Sequence, residues 1–330
     1  MIVSRTPVRM SFVGGGSDIK GFYSRKKGAV ISTAIDKYIY VTVNKKFDDA
    51  VRVAYSINEE VENAGLIQHP IVNTALNFLG IIKGIEITTV ADIPSTGTGL
   101  GSSSTFTVGL LNALSCYAGT TRDKSWLAEK SCHIEIDLCG GPIGKQDQYA
   151  AAFGGLNFIE FHEDGTVSVE SLNLEADILQ SFEDNVLMFY TGVTRSASQL
   201  LERQSIAMAE NTDTFNAVSD MVDHAYTMKK LLQNGSLEEV GLLLNEGWLL
   251  KKSLMDGISS TGFDDLYDRG IKSGALGGKI LGAGGGGFLM FYAPSEKHGY
   301  ICQELNELRQ VKIGFDTMGS RIVMNQSEAF

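Results

Sequence analysis

The stretch that decides the fold is PSTGTGLGSSST, residues 94–105. Before it, apolar and polar residues alternate over residues 85–93, which is the period of a half-buried strand. After it, apolar residues recur at helical spacing over residues 106–118. Glycines let backbone N–H groups approach an anion closely, and a following helix presents its free N–H groups and positive dipole end to that anion. The stretch therefore predicts a phosphate-binding turn between a strand and a helix.

Two common glycine motifs do not fit this turn. A P-loop would need a lysine just before the helix, and the dinucleotide fingerprint would need a glycine where Ser102 stands. The run Gly99-Leu-Gly-Ser-Ser103 instead resembles the second signature of the GHMP kinases, small-molecule kinases named after galactose, homoserine, mevalonate and phosphomevalonate. A serine-rich helix cap after a tight turn is the alternative interpretation. The resemblance implies that ATP is bound by Gly97, Thr98, Gly99, Leu100, Gly101, Ser102, Ser103 and Ser104.

Two further segments resemble the other signatures of this family. PVRMSFVGGGSD, residues 7–18, resembles the first, in which a strand leads to a glycine turn and a substrate-binding Asp. KILGAGGGGF, residues 279–288, resembles the third. The three matches follow the family's order, which implies an α+β, two-domain GHMP kinase fold with the active site in the cleft between the domains. The residues expected to bind the acceptor substrate include Gly15, Gly16, Ser17, Asp18, Gly285 and Gly286.

The length of 330 residues exceeds that of a typical single core and predicts two domains. We expect an N-terminal GHMP kinase domain over residues 1–175, with the ATP cradle and the catalytic Asp, and a C-terminal one over residues 176–330. The expected elements are a strand at 38–43, a helix at 70–79, a last N-terminal strand at 155–161, long helices between 196 and 252 broken at Asn234-Gly235, a strand at 288–292, and a final strand ending at Met324.

Charge and composition argue against several classes of function. The net charge is −11 and Lys and Arg form only isolated pairs, so we expect no nucleic-acid partner. Apolar runs are short and the first residues do not resemble a signal peptide, so we expect no membrane association and a cytoplasmic location. The four cysteines lack metal-site spacing and are expected to be reduced core thiols. No feature of the sequence predicts an oligomeric state.

Phosphoryl transfer to a hydroxyl requires a group that orients or deprotonates the acceptor. The segment GPIGKQDQY, residues 141–149, resembles the part of the family's sugar kinases that contains the catalytic Asp, which implies Asp147 as the acceptor-side base. An ordinary helix-start Asp is the alternative. The resemblance also implies that Arg9 is a catalytic cation near the transferring phosphate. A guanidinium does not give up its proton, so Arg9 would act only electrostatically.

A Mg²⁺ ion accompanying ATP needs oxygen ligands, and the resemblance implies Ser103 and Glu135. Asp137 is a competing carboxylate two residues further along the predicted helix. Side chains two residues apart on a helix point about 160° apart, so only one of the two can face the cleft. Glu135 shares a helical face with Ser131 and Leu138, which favours Glu135. Two solvated helix carboxylates are the alternative.

Three segments resemble the branch of the family that phosphorylates the anomeric hydroxyl of D-glycero-D-manno-heptose 7-phosphate to the 1,7-bisphosphate, for activated heptose and surface polysaccharide synthesis. They are residues 14–18, residues 141–149 and YTGVTR, residues 190–195. A phosphorylated acceptor needs a second anion site. We assign this site to Lys145 and Arg195, aided by Thr191 and Thr194. Arg195 solvating the start of the next helix is the alternative.

Other functions remain open. Another anomeric sugar kinase, similar to fucokinase or galactokinase, is the nearest, although galactokinases carry Glu-His ahead of Thr-Asp where this chain has Gly15-Gly16-Ser17-Asp18. A mevalonate-type kinase usually has Lys in place of Arg9. An inactive binding protein with the GHMP fold would be marked by loss of a catalytic residue, and all of them are present.

Overall fold

The structure is a computed structural model that describes residues 1–94, 97–194 and 197–326. The strands, numbered in chain order, are β1 Ile2–Val13, β2 Gly28–Lys45, β3 Val51–Ala54, β4 Asn58–Val61, β5 Ile85–Ala91, β6 Leu156–Phe161, β7 Val167–Ser171, β8 Val186–Tyr190, β9 Gly277–Ile280, β10 Phe288–Tyr292, β11 Arg309–Gln310 and β12 Arg321–Asn325. The α-helices are α1 Lys20–Tyr23, α2 Pro70–Phe78, α3 Ser102–Tyr117, α4 Lys124–Cys132, α5 Gln146–Phe153, α6 Ala176–Asp184, α7 Ala197–Glu210, α8 Thr212–Gln233, α9 Leu237–Ser253, α10 Thr261–Lys272 and α11 His298–Glu304. Residues His133–Leu138 form a π-helix, and short 3₁₀ turns lie at Ala64–Leu66 and Ser295–Lys297. Among the described helices, none has the length and apolar character needed to cross a membrane.

Strand β2 organises the larger of two sheets. It pairs antiparallel with β1, with β6 over residues 28–33 and with β5 over residues 39–45. The strand order is β12-β1-β2-β5-β3-β4, and β6 and β7 extend from β2. The smaller sheet has the order β11-β8-β10-β9. The division at residue 175 stays a prediction, and the pairing of β12 with β1 places this late strand in the sheet of the predicted N-terminal domain.

Helix α3 packs closely on β1, and this contact fixes where the helix begins. Leu110 and Leu114 are fully buried. A Cβ at Gly109 would come within 2.8 Å of Thr6 Oγ1, so only a glycine allows the helix to lie this near the strand. Ser4 Oγ donates a hydrogen bond of 2.7 Å to the carbonyl of Gly109. The first turn of α3 is thereby held at the end of the glycine turn that precedes it.

Most of the predicted elements are confirmed. The strand predicted at 38–43 lies inside β2. In this part, β2 pairs with β1 on one side and with β5 on the other. Pro70 begins α2, consistent with the preference of proline for the first turn of a helix. The strand at 288–292 coincides with β10, and the predicted helix break at Asn234-Gly235 separates α8 from α9.

One predicted feature of the chain path is wrong, and a second helix break adds detail to the prediction. The strand at 155–161 is not the last of its half, because the chain turns after β6, with His162 donating its N–H to Thr166 O at 2.9 Å, and returns as β7. The helical region 196–252 has a second break at Asn211. The Asn211 side chain accepts the backbone N–H groups of Asp213 and Thr214, which makes it an N-cap for α8.

Two predicted burial patterns also need correction. We predicted that Leu138 shares a helical face with Ser131 and Glu135. A π-helix changes the angular spacing of the side chains, and Leu138 is half exposed, whereas Glu135 is buried. All four cysteines are free thiols, as expected, but only Cys132 is buried. Cys116, Cys139 and Cys302 are partly exposed, so the expectation of core thiols holds for one of the four.

Two glycine turns touch each other backbone to backbone. They are the turn 97–101 before α3 and the turn 281–287 between β9 and β10. Gly99 and Gly282 both have positive φ, 76° and 71°, and a Cβ on either would overlap the backbone of the other turn. Gly287 meets the carbonyl of Thr98 in the same way. Only glycine allows this approach, so the second and third predicted signatures form one structural unit.

Replacing Gly282 by Ala should lower the free energy of unfolding by about 1–3 kcal/mol, because the positive φ and the overlap with Gly99 both oppose a Cβ. Gly299→Ala is the matched control. Gly299 lies in α11 with no atom within 4 Å of its Cβ position, so Ala should be neutral or slightly stabilising there. Denaturant unfolding of the three proteins measures the difference. Equal stability of the two variants would contradict the prediction.

Candidate active site

A cavity of about 540 Å³ lies where the two glycine turns meet, a size that suits small-molecule ligands. Of the residues predicted to bind ATP, those that line it are Gly97, Thr98, Gly99, Gly101, Ser102, Ser103 and Ser104. Of the remaining predicted site residues, those that line it are Arg9, Gly15, Gly16, Asp18, Asp147, Thr194 and Gly286. Residues far apart in the sequence therefore converge on one cavity.

The start of α3 forms an anion-binding corner of this cavity. Gly101 is the N-cap, with a φ of 72° that glycine adopts without strain. The first N–H groups of a helix have no partner inside the helix, and the dipole makes this end positive. Leu100 does not line the cavity, because its side chain is fully buried and its carbonyl accepts the N–H of Arg9 at 3.1 Å. Leu100 anchors the turn, and its neighbours face the cavity.

Asp147 lies directly beside this corner, in the first turn of α5. Its Oδ1 is 2.7 Å from Arg9 Nε, and Arg9 Nη1 donates to the carbonyl of Gly99 at 2.6 Å. A Cβ at Gly101 would lie 2.9 Å from Asp147 Oδ2, so the absence of a side chain at Gly101 makes room for the carboxylate. Arg9 is 4% exposed, and the Asp147 side chain is 23% exposed, so the carboxylate is the more accessible partner.

Glu135 faces the first turn of α3, and Asp137 does not. Glu135 is buried, with Oε1 accepting from Ser103 Oγ at 3.0 Å and Oε2 accepting from Gln148 Nε2 at 2.7 Å. Asp137 is exposed and lies 2.8 Å from His133 Nδ1. Burial raises the pKa of Glu135 to about 7, although the hydrogen bonds from Gln148 and the serines oppose the shift. The side chains of Glu135 and Asp137 point in different directions, as predicted, and Glu135 is the one that lies beside the first turn of α3.

The residues around Ser103 fit a magnesium ion bound with a nucleotide. A hydroxyl and a carboxylate oxygen are hard ligands of the kind Mg²⁺ selects, and Ser103 Oγ and Glu135 Oε1 are 3.0 Å apart. In the part of the chain that the structure describes, no three His, Cys, Asp or Glu side chains gather to hold a metal by themselves. Phosphate oxygens and water would therefore complete the coordination, which is the usual arrangement for Mg²⁺ at phosphates.

A second carboxylate enters the cavity from the loop after β1. Asp18 is 3% exposed, and its oxygens accept from the N–H groups of Gly16 and Gln146 and from Gln146 Nε2. Burial raises the pKa of Asp18, and the nearby Asp147 adds to the shift. Gly144 packs so closely on the carboxylate that a Cβ would overlap it. Asp18 is therefore held rigidly and can accept hydrogen bonds from a polyhydroxylated ligand.

Four of the residues predicted to contact the substrate have their polar groups bonded to backbone carbonyls. Ser17 is fully buried, because its Oγ donates to the carbonyl of Gly14 at 2.7 Å and holds the loop. Lys145 Nζ donates to the carbonyl of Gly165 at 2.6 Å, and Thr191 Oγ1 donates to that of Gly287 at 2.8 Å.

Gly285 contributes its N–H to the carbonyl of Ile258 at 2.9 Å. Ser17, Lys145, Thr191 and Gly285 do not line the cavity, because backbone carbonyls hold their polar groups elsewhere. Arg195 lies outside the described residues, so the structure places only part of the predicted remote-anion site.

Two buried lysines in the cavity were not predicted to have a role. Lys251 Nζ donates to the carbonyl of Gly282, and Lys279 Nζ donates to that of Phe12 at 2.9 Å. Burial lowers the pKa of Lys251 to about 8 and also lowers the pKa of Lys279. A sequence signal existed for Lys251, since it follows Leu244 and Trp248 at helical spacing on an otherwise apolar face. A lysine on such a face is a candidate for a buried functional group.

Gln204 is a second feature that the sequence analysis missed. It comes from α7, is 7% exposed and lines the cavity. A Cβ at Gly16 would overlap its Nε2, so the absence of a side chain at Gly16 leaves room for the Gln204 amide in this position. The Nε2 of Gln204 therefore lies against Gly16, in the loop that also contains Asp18.

Comparisons with known proteins agree with this geometry. The chain matches the family described as GHMP kinases N terminal domain over residues 66–155 and that described as GHMP kinases C terminal over residues 228–305. A D-glycero-alpha-D-manno-heptose 7-phosphate kinase of Campylobacter jejuni is 29% identical, covering 91% of this chain and 92% of the relative. An L-fucokinase/L-fucose-1-P guanylyltransferase of Bacteroides fragilis is also 29% identical, covering 89% of this chain and 34% of the relative.

A solved structure described as a D-glycero-D-manno-heptose 1-phosphate kinase from Bacteriodes thetaiotaomicron has a TM-score of 0.81 and 25% identity. The similarity covers 99% of this chain and 100% of that one. Together with the family matches, it confirms the predicted α+β, two-domain kinase fold. The similarity spans the whole cavity, from the loop after β1 to the turn before β10.

The raised pKa of Glu135 predicts a pH-dependent stability. Its folded-state pKa of about 7 exceeds the ordinary value of 4.5, so its stabilising contribution is complete below pH 4.5 and is lost as the pH rises to 7. The loss amounts to about 3 kcal/mol. Glu135→Gln should therefore lose less stability than the parent protein between pH 5 and pH 8, measured by denaturant unfolding without Mg²⁺. Parallel pH profiles for the two proteins would exclude this origin of the effect.

Proposed function

We propose an acceptor for this chain, which belongs to the GHMP kinase family and is an ATP-dependent phosphotransferase with an alcohol group as acceptor. The acceptor is the anomeric hydroxyl of D-glycero-D-manno-heptose 7-phosphate, and the product is the 1,7-bisphosphate. Such a product serves the synthesis of activated heptose for surface polysaccharides. The relative from Campylobacter jejuni, named for this substrate and matched along 92% of its length, supports the proposal.

One observation carries this function: a single cavity contains the start of helix α3, the carboxylate of Asp147 directly beside it and the buried carboxylate of Asp18. Phosphates of ATP would lie against residues 97–104, where the N–H groups of the turn and of α3 converge. Asp147 would face the acceptor hydroxyl, and Asp18 would accept hydrogen bonds from other hydroxyls of the sugar. A small polyhydroxylated acceptor fits this order of groups.

The transfer step follows from the positions of Asp147 and Arg9. The acceptor oxygen attacks the γ-phosphorus of ATP, a new P–O bond forms, and the bond from that phosphorus to the β–γ bridging oxygen breaks, releasing ADP. The acceptor proton goes to the Asp147 carboxylate. Arg9 donates from Nε to this carboxylate and from Nη1 to the carbonyl of Gly99, so it fixes the distance between Asp147 and the turn 97–101. Its positive charge would stabilise the negative charge that develops between them.

Ser103 and Glu135 would hold the Mg²⁺ ion of the nucleotide. When bound, the ion would neutralise negative charge on the phosphates. Glu135 would be ionised in that state, since a cation beside it favours the charged form against the effect of burial. Gln148 keeps Glu135 oriented through its 2.7 Å hydrogen bond, so the ligand is held in place before the ion arrives.

The second candidate is another anomeric sugar kinase, similar to fucokinase. The relative from Bacteroides fragilis favours it, because it matches 89% of this chain at the same identity as the heptose phosphate kinase. The two candidates share the transfer step and differ in the far end of the acceptor. A phosphorylated acceptor needs positive charge at a distance from Asp147, whereas fucose needs none.

Asp147→Asn should lower turnover by roughly 10²-fold or more, the scale of a general-base contribution, because it keeps the shape of the side chain and removes the base. Binding of an ATP analogue should be nearly unchanged, since the phosphate turn is intact. Asp137→Asn is the matched control, as Asp137 is an exposed carboxylate outside the cavity. ADP release measures turnover, and retained activity of Asp147→Asn would remove this residue from the mechanism.

The parent enzyme should release ADP with D-glycero-D-manno-heptose 7-phosphate much faster than with the unphosphorylated heptose, fucose or galactose. The reason is that a remote phosphate adds charge-assisted hydrogen bonds that a neutral sugar cannot form. A coupled ADP assay over these four acceptors, with kcat/KM for each, provides the measurement. Efficient use of fucose or galactose would overturn the heptose phosphate assignment and leave the anomeric kinase function in place.

A further inference from the structure

The amide of Gln204 is a polar group of the cavity wall that the protein leaves without a partner. Gln204 comes from α7, is 7% exposed and lines the cavity. Among residues 1–94, 97–194 and 197–326, none forms a hydrogen bond with its side-chain amide. Amides buried to this extent are normally hydrogen-bonded, because an unpaired donor or acceptor is costly away from water. The groups that can pair with this amide are those that enter the cavity.

Helix α7 brings this amide to the loop that follows β1. A Cβ at Gly16 would overlap Gln204 Nε2, so the amide lies directly against the backbone of the loop. One turn further along α7, the carbonyl of Met208 accepts from Arg25 Nη1 at 3.0 Å. The two contacts hold α7 against residues 16–25, which fixes the position of the amide at the edge of the loop.

The same loop contains the carboxylate that the proposed function assigns to the acceptor. The N–H of Gly16 donates to Asp18 Oδ1 at 3.1 Å, so one glycine contacts both Asp18 and Gln204. All three residues line the cavity. Gly101, at the start of α3, has Asp147 instead against the position of its Cβ. Gln204 thus shares its loop contact with the acceptor-binding carboxylate, whereas the nucleotide end of the cavity is bordered by the base.

The chemistry of this wall suits a hydroxyl group. A neutral amide has two donors and an acceptor oxygen, and a hydroxyl both donates and accepts. An ionised carboxylate only accepts, so Asp18 and Gln204 offer complementary groups to the hydroxyls of one sugar. Phosphate, in contrast, is bound most strongly by cations. Leu201, three residues earlier on the same face of α7, also lines the cavity and gives the carbon skeleton of a sugar an apolar surface.

We propose that Gln204 is a specificity-determining residue that forms a hydrogen bond with a hydroxyl group of the acceptor sugar. This inference rests on the proposed function and adds to Asp18 a second polar contact with the sugar. Gly16 makes the contact possible, because a side chain at that position would displace the amide. A buried amide that loses its partner is costly, so the site selects against an acceptor that lacks the matching hydroxyl.

The first test compares Gln204→Met with Gln199→Met, since methionine keeps the length of the side chain and removes the amide. Gln199 is an exposed glutamine of the same helix and does not line the cavity, so it is the matched control. Gln204→Met should lower kcat/KM for heptose 7-phosphate by about 3- to 10-fold, the scale of one neutral hydrogen bond, and leave the KM for ATP unchanged. An increase in the KM for ATP alone, or kinetics equal to those of Gln199→Met, would overturn the proposal.

A second test identifies the hydroxyl and separates a direct contact from a structural role. The parent enzyme and Gln204→Met are assayed with a series of heptose 7-phosphates, each lacking one hydroxyl other than the anomeric one. For one member of the series, the parent should lose about 3- to 10-fold in kcat/KM and Gln204→Met should lose much less, because the variant has already lost the contact. Equal losses in the two proteins for every member would exclude a hydrogen bond between Gln204 and the sugar.

A binding measurement separates failure of this inference from failure of the proposed function. With the nucleotide site saturated by a non-hydrolysable ATP analogue and Mg²⁺, titration calorimetry measures the affinity of the three proteins for heptose 7-phosphate, heptose, fucose and galactose. Weaker binding by Gln204→Met alone, in an enzyme that prefers fucose or galactose, would support the contact and overturn the heptose assignment. Equal affinities of the three proteins for the preferred sugar would overturn the contact and leave the acceptor assignment intact. Thermal unfolding shows beforehand that each variant is folded.

Discussion

The backbone contact between the turns 97–101 and 281–287 is the constraint on which the rest of the active site depends. Gly99 and Gly282 meet with no room for a Cβ on either, so the two turns act as one rigid surface. The carbonyl of Gly99 then accepts from Arg9, and the carbonyl of Gly282 accepts from Lys251. Two cations of the cavity wall are thus positioned by atoms of the same contact.

The site contains buried ionisable groups of opposite sign whose charged forms are both disfavoured by burial. At the cradle, Glu135 is a buried carboxylate whose pKa is raised towards neutrality. Beside Gly282, Lys251 is a buried ammonium group whose pKa is lowered towards neutrality. Each charged form is costly in the buried site and becomes favourable when a charge of opposite sign lies beside it. In the proposed function, charged ligands would balance these buried groups and so stabilise the cavity.

Asp147 differs from both groups because its counter-charge belongs to the protein. Arg9 holds it at 2.7 Å, and the glycine at position 101 leaves it room beside the helix start. A carboxylate in this position stays oriented whether or not ligands are bound, which is what a proton acceptor in a phosphoryl transfer requires. In the proposed function, Asp147 and Arg9 would therefore be in position before the substrates bind.

The sequence by itself determined the family, the fold class and the residues of the phosphate turn, because glycine spacing and hydrophobic periodicity are local properties. It also favoured Glu135 over Asp137 as the carboxylate that faces the cavity, because side chains two residues apart on a helix point in nearly opposite directions. It could not show that Leu100 and Ser17 point inward or that the ammonium group of Lys145 is held by a carbonyl, because these depend on neighbours distant in the chain. Lys251 and Lys279 lie far from Asp18 in sequence, and only tertiary packing brings these three residues to one cavity.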